Sequence, residues 1–162
     1  MENLKELFES YKRKVLEIMP YAEFEHVGGS AIPGLETKGD LDMQIRVEAE
    51  EFEKAVKSCD SIFTRRYEEL WNNEFALFKD STQDIKTDIM VTVKNSAYDS
   101  FYAIRDAMIK DPSLLQRYIE LKKQYPSFLS DEYRKAKHLF FRQVEAELGL
   151  KVRPLESFPK KL

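Results

Sequence analysis

The stretch that decides the fold is residues 23–47, EFEHVGGSAIPGLETKGDLDMQIRV. Two segments in it, 23–27 and 40–47, alternate apolar and polar residues, which is the pattern of half-buried β-strands. Gly28-Gly29-Ser30 ends the first segment. Residues 31–39 contain two further glycines and a proline and are typical of a short helical turn followed by a loop. The stretch therefore predicts two strands joined by a glycine-rich connection.

The rest of the chain predicts an α+β fold in which a mixed or antiparallel sheet is flanked by helices. Further strands are expected over residues 64–70, 74–80 and 85–93. Helices are expected over residues 2–18, 49–58, 97–110, from 112 to just before Pro126, and from a Ser130 cap through Leu148. We interpret residues 1–162 as one domain. It has a sheet core at about 20–94, a C-terminal helical segment at about 97–149 and an irregular tail over 150–162.

Composition limits the possible functions. The 162 residues carry 26 Lys and Arg against 29 Asp and Glu, a formal net charge of −3, which argues against a protein that coats nucleic acid. A single cysteine, Cys59, excludes an internal disulfide framework. The sequence shows no signal peptide and no apolar run long enough for a membrane span, so we expect a cytoplasmic protein without a membrane partner.

Three aspartates suggest a metal site. Asp40 and Asp42 are two residues apart on a predicted strand, so they share a face with Cα atoms roughly 7 Å apart. Asp88, on the polar face of the predicted strand 85–93, can supply a third carboxylate. Carboxylates without histidines suit a hard cation such as Mg²⁺ or Mn²⁺. A pair of such ions stabilises the attacking and leaving oxygens of a phosphoryl transfer.

The glycine turn suggests a phosphate site beside these acids. Gly28, Gly29 and Ser30 leave backbone N–H groups uncovered, and the Ser30 hydroxyl can donate to a phosphate oxygen. Such a turn alone is usually only a turn, and an Asp-x-Asp pair alone is usually the solvated face of a sheet. Their order, with nine residues between Ser30 and Asp40, favours a combined seat for a nucleoside triphosphate and its metal.

This pattern resembles the nucleotidyltransferase superfamily of the DNA polymerase beta type, and more closely its GrpB-like branch. That branch typically reads His-[Val/Ile]-Gly-Ser-Thr-x-x-Pro-Gly-Leu-x-x-Lys-Pro, followed by an aliphatic strand with an Asp. The matching row here runs from His26-Val27-Gly28-Gly29-Ser30 through Pro33-Gly34-Leu35 and Lys38-Gly39 to Asp40-Leu41-Asp42. A looser helical likeness downstream involves Arg105-Asp106, Asp111-Pro112, Tyr118, Leu121-Lys122, Tyr133 and Lys137.

Three departures from the branch bear on the chemistry. Gly29-Ser30 replaces Ser-Thr and keeps one hydroxyl, and Gly39-Asp40 replaces Pro-aliphatic and completes the Asp-x-Asp pair. Where the branch often has a His-x-His-like strand, this chain has Asp88-Ile89-Met90, which restores the third acid of the superfamily. The acid changes favour a working metal site over a decayed one.

The resemblance implies transfer of a nucleoside monophosphate from ATP or another nucleoside triphosphate to an acceptor, with release of pyrophosphate. It implies that Asp40 and Asp42 bind the nucleotide metal and that Asp88 completes a second metal site. Gly29 and Ser30 would hold the terminal phosphates.

Four cations complete the candidate set. Lys38 can neutralise phosphate charge, and Arg105, Lys122 and Lys137 lie on three successive predicted helices that can converge on triphosphate or acceptor. Each is also compatible with an ordinary surface position. His26 fits a structural hydrogen bond, and His138 is expected to be exposed.

Two other classes of protein remain open on the sequence. One is a noncatalytic nucleotide-binding or interaction protein that retains the fold, and the other is a structural domain whose acids are simply exposed. The sequence does not identify the acceptor, a small molecule or a protein, and it leaves base preference and oligomeric state open.

Overall fold

The computed structural model describes residues 3–155. Five helices are α1 (Leu4–Ile18), α2 (Phe52–Asp60), α3 (Phe101–Lys110), α4 (Pro112–Lys123) and α5 (Asp131–Glu147). Five strands are β1 (Glu23–Val27), β2 (Leu41–Val47), β3 (Thr64–Arg65), β4 (Phe75–Lys79) and β5 (Thr87–Val93). Asp111 and Ser130 cap α4 and α5, because their side chains accept hydrogen bonds from backbone N–H groups of the first turn.

The strands form one sheet in the order β1-β2-β5-β4-β3. The β2–β5 pair is parallel and the other pairs are antiparallel, so the predicted α+β fold with a mixed sheet is confirmed. One face packs against α1 and α2 and holds the largest apolar cluster, which includes Val15, Met43, Ile45 and Ile89. This is the apolar face that alternation in β2 and β5 predicts.

The opposite face of the sheet is covered, not solvated. Gln44 and Thr92 are fully buried on it, and Arg46 is nearly so. The Asp99 carboxylate accepts hydrogen bonds from all three of these side chains and from the backbone N–H of Asn95. Asp99 thereby fixes the chain before α3 onto β2 and β5, and it positions the C-terminal helical segment over the polar face.

Some predicted bounds were wrong. The strand expected over 64–70 stops at Arg65, because Tyr67 is left-handed (φ 48°) and Glu68–Leu70 form a 3-10 turn. The helix expected over 97–110 begins only at Phe101. The predicted helix start at residue 2 and residues 156–162 of the predicted tail lie outside the described residues.

Within residues 3–155, none of the helices combines the length and the apolar composition needed to cross a bilayer.

Candidate functional site

A cavity of about 400 Å³ is lined by the covered face of the sheet and by α3, α4 and α5. All ten candidate residues from the sequence line this cavity. They are Gly28, Gly29, Ser30, Lys38, Asp40, Asp42, Asp88, Arg105, Lys122 and Lys137. Residues separated by more than 100 positions in the chain therefore share one chamber.

Asp42 and Asp88 lie side by side at the centre of this site. They are direct register partners across the parallel strands β2 and β5. Burial, and then the charge of Asp88, raise the pKa of Asp42 to about 6, against the opposing effect of Lys137. Burial also raises the pKa of Asp88, although Arg66 opposes this shift. The fold thus holds two carboxylates side by side where they are partly shielded from water. The repulsion between their negative charges destabilises the fold unless cations lie nearby.

Basic side chains supply part of the counter-charge. Arg66 Nη1 lies 3.0 Å from Asp88 Oδ1, Lys86 Nζ lies 4.0 Å from Asp88 Oδ2, and Lys38 Nζ lies 3.7 Å from Asp40 Oδ2. Sequence reasoning missed Arg66 and Lys86 as part of the site. The position of Lys86 two residues before Asp88 is a signal that could have been used, whereas Arg66 follows a two-residue strand and carries no such signal.

The donor set fits a divalent cation at Asp42 and Asp88. Asp88 Oδ1 is buried and accepts no hydrogen bond of good geometry from the described residues, so its contact with Arg66 is an ion pair only. Two adjacent carboxylates, one with a buried oxygen that is held only by an ion pair, suit Mg²⁺ or Mn²⁺ once Arg66 is displaced. Over residues 3–155, however, no group of three or more His, Cys, Asp or Glu side chains forms a ready-made metal cluster. The part of Asp40 in metal binding stays a prediction.

The backbone of the glycine turn passes close to the side chain of Asp42. Gly28 has φ +74°, and a Cβ atom built on it would lie 2.3 Å from Asp42 Oδ2. Only a glycine allows this backbone to pass so close to the carboxylate. The 3-10 turn Gly29–Ala31 follows, and Ser30 Oγ lies 3.0 Å from His26 Nε2 within hydrogen-bond distance. Burial, and then the charge of Arg105, lower the pKa of His26.

We expect Gly28→Ala to displace the carboxylate of Asp42 and to weaken Mn²⁺ binding, because the new methyl group would overlap that carboxylate. Gly34→Ala is the matched control, since Gly34 has a similar φ of +81° but no atom within 4 Å of a built Cβ. Both variants place an alanine at a positive φ, which costs roughly 1–3 kcal/mol in chemical denaturation. Only Gly28→Ala should also lose manganese affinity in calorimetry, and equal affinities would contradict this fit.

The predicted cations differ in how they are held. Arg105 Nη1 donates to Glu25 Oε2 (2.8 Å) and to the carbonyl oxygen of His26 (2.7 Å), so its guanidinium links α3 to β1. Lys122 donates to the carbonyl oxygen of Glu36 (3.2 Å). Burial lowers the pKa of Lys122, and the charges of Lys137 and Lys38 lower it further. The three lysines therefore face a common space, whereas Arg105 has firm protein partners.

Tyr118 and His138 also line the cavity, although neither belongs to the candidate set. Tyr118 is nearly fully buried and packs on Phe140 and Phe141. Burial raises its pKa to about 12, and its hydroxyl hydrogen-bonds Tyr133. The expectation that His138 is exposed was wrong. It lies half-buried in the cavity wall, where burial and then Arg142 lower its pKa to about 4.

Comparison with known proteins identifies the relatives of this chain. The family model described as GrpB protein matches residues 1–147. A UPF0157 protein of Vibrio cholerae serotype O1 is 33% identical over 140 residues, which are 85% of this chain and 73% of that protein.

Among solved structures, the conserved protein GrpB of Enterococcus faecalis matches with a TM-score of 0.67 and 20% identity, covering 91% of this chain and 93% of that one. This match supports the fold. A cytoplasmic RNA terminal U-transferase matches with a TM-score of 0.46 and 13% identity, covering 87% of this chain and 40% of that one. This TM-score is too low to support an argument about function.

Proposed function

This chain belongs to the GrpB family, and we propose that it is a metal-dependent nucleotidyltransferase. The proposal is that it transfers a nucleoside monophosphate from ATP or another nucleoside triphosphate to a hydroxyl group of an acceptor. The observation that carries it is the direct pairing of Asp42 with Asp88, beside a glycine whose backbone contacts Asp42. Family membership alone does not specify this activity.

The positions of these residues in the cavity support the role proposed for each. Asp42 and Asp88, with Asp40 beside them, would hold Mg²⁺ or Mn²⁺, which supplies charge stabilisation to the α-phosphoryl group. The turn Gly28–Ser30 would hold the β- and γ-phosphates through backbone N–H groups and the Ser30 hydroxyl. Lys38, Lys122 and Lys137 would neutralise phosphate charge, and the existing hydrogen bonds of Arg105 favour a positioning role for it.

In the proposed reaction one bond to phosphorus forms and another breaks. The acceptor oxygen forms a bond to the α-phosphorus, and the bond from that phosphorus to the bridging oxygen breaks, so that pyrophosphate leaves. Asp88 would take the proton of the acceptor hydroxyl, and this role is supported by its buried Oδ1, which accepts no hydrogen bond of good geometry from the described residues. The three lysines stabilise the leaving pyrophosphate by charge.

We expect wild-type protein to bind Mg²⁺-ATP in calorimetry and Asp40→Ala/Asp42→Ala to bind it roughly tenfold or more weakly, because charged ligands are lost. Asp84→Asn is the matched control, since Asp84 is an exposed aspartate that does not line the cavity. Equal affinities in wild type and the double variant would refute the metal–nucleotide site.

A second candidate is a noncatalytic nucleotide-binding protein. The ion pairs of Asp88 with Arg66 and Lys86 favour it, because these cations already neutralise part of the acid site. Labelled ATP distinguishes the two functions. Transfer predicts pyrophosphate release in the presence of a suitable acceptor, and the second candidate predicts binding without release.

A further inference from the structure

A second charged cluster lies beside the same cavity, on α5 and the segment after it. Glu145 is fully buried and accepts hydrogen bonds from Arg142 Nε (2.8 Å), from Ser100 Oγ (2.9 Å) and from the backbone N–H of Arg153 (3.2 Å). The side chain of Arg153 also faces this carboxylate, with its Nε 4.0 Å from Oε1. His138, which contacts Arg142, is neutral above its lowered pKa of about 4. The single carboxylate of Glu145 thus faces the guanidinium groups of both Arg142 and Arg153, so the cluster carries one excess positive charge.

Arg153 is the incompletely satisfied member of this cluster. Its Nε is buried and lacks a hydrogen-bond partner among residues 3–155. Its guanidinium carbon lies 4.7 Å from the centre of the Phe101 ring and 5.8 Å from that of Tyr98, so aromatic rings hold the group in place. Burial and then Arg142 lower the pKa of Arg153 to about 10, which still leaves it charged at neutral pH. A guanidinium whose Nε is buried needs a hydrogen-bonded oxyanion to offset its desolvation, and the 4.0 Å contact with Glu145 is too long to be that bond.

An apolar floor connects Arg153 with the acid pair. Met90 lies two residues beyond Asp88 on β5, roughly 7 Å further along the strand, and it pairs with Leu77 of β4. The Phe75 ring stacks on Tyr98 at 5.4 Å, and Tyr98 in turn lies beside Arg153. Phe75, Leu77, Met90 and Arg153 all line the cavity. A bound molecule can therefore span from the acids, over this floor, to the guanidinium.

The two charged ends are distinct. The charges that act on Asp42 are those of Asp88, Lys137, Asp40 and Lys86, whereas those that act on Arg153 are Arg142, Glu145 and Tyr98. Lys38 pairs with Asp40, Lys137 acts on Asp42, and both lysines act on Lys122, so all three belong to the acid end of the cavity. The guanidinium end is therefore suited to a different anion in the same chamber.

We propose that Arg153, backed by Arg142, forms a second oxyanion subsite, and that the acceptor is a small molecule with a phosphate or carboxylate group attached to an apolar body. The assignment to the acceptor rests on the proposed nucleotidyl transfer. The anion subsite does not, because it needs neither metal nor triphosphate.

The test follows the Nε–Hε resonance of Arg153 by NMR while sodium phosphate, and separately sodium acetate, is added to full-length protein in chelator. We expect this resonance to shift with at least one of the two anions, and the preferred anion identifies the acceptor group. Arg153→Met should bind that anion roughly tenfold more weakly, because a charge-assisted hydrogen bond is lost. Lys151→Met is the matched control, since Lys151 is exposed two residues away and should leave the affinity unchanged.

Four outcomes decide the proposal. An unshifted Arg153 resonance with both anions, or an Arg153→Met variant that binds as tightly as wild type, would overturn the subsite. Anion binding that survives in Asp42→Asn/Asp88→Asn supports the subsite even if nucleotidyl transfer fails. Anion binding that is abolished by saturation with a magnesium-bound, non-hydrolysable ATP analogue would overturn the assignment to the acceptor, because the donor would then occupy the same place.

Discussion

Asp42→Asn is expected to abolish pyrophosphate release and at the same time to stabilise the protein by roughly 1–3 kcal/mol when no divalent cation is present. The activity is lost because an amide replaces a charged metal ligand. The stability is gained because the substitution removes an ionised carboxylate that is buried beside Asp88. Chemical denaturation in chelator at pH 7.5 measures the stability, and release of labelled pyrophosphate measures the activity.

The raised pKa of Asp42 also predicts how the stability of the protein changes with pH. The pKa of Asp42 is about 6 in the folded protein, above its ordinary value of 3.8, so its protonation stabilises the fold. That contribution is complete below the ordinary value and is lost as the pH rises through about 6. Wild type should therefore gain stability relative to Asp42→Asn between pH 7.5 and pH 5. An Asp42→Asn protein that is less stable than wild type at pH 7.5 would contradict the like-charge pair.

Asp99→Ala is expected to destabilise the protein by about 3–5 kcal/mol, because it removes the buried carboxylate partner of Arg46 and leaves this guanidinium with only the exposed carboxylate of Glu23. Arg46 donates to Asp99 through Nε (2.7 Å) and Nη2 (2.8 Å), and both side chains are less than one tenth exposed. The same substitution should loosen the helical segment over the sheet and weaken nucleotide binding. Urea denaturation and calorimetry measure the two effects.

Asp60→Ala is the matched control for Asp99→Ala. Asp60 accepts the same two-pronged pair of hydrogen bonds from Arg65, Nε to Oδ1 and Nη2 to Oδ2, both 2.7 Å. This pair is exposed, so its loss should cost less than about 1 kcal/mol. Equal losses in the two variants would show that burial does not govern the strength of these pairs.

Period-two alternation in the sequence was sufficient to predict strands β1, β2, β4 and β5 and the polar faces that carry Asp42 and Asp88. The faces of β2 and β5 follow from alternating residues, and this places Asp42 and Asp88 on the same side of the sheet. Their direct pairing could not be derived, because register depends on which strands become neighbours. The parallel contact of β2 with β5 is a tertiary result that no local pattern encodes.

The parts of the site that come from turns and helix packing were harder to foresee. Arg66 reaches Asp88 from a strand of two residues, where a left-handed Tyr67 overrides the strand-like sequence. Arg153 lies after the last helix and reaches the cavity only because the chain folds back along Glu145. Neither position shows a motif, so their roles become visible only in three dimensions.

The most direct test is a crystal structure with Mn²⁺ and a non-hydrolysable nucleoside triphosphate, read by anomalous diffraction. The account predicts a manganese peak coordinated by Asp42 and Asp88, with Arg66 displaced from Asp88 and the terminal phosphates against the turn Gly28–Ser30. A structure in which the acids carry no manganese and Arg66 stays on Asp88, while the nucleotide binds elsewhere, would contradict it.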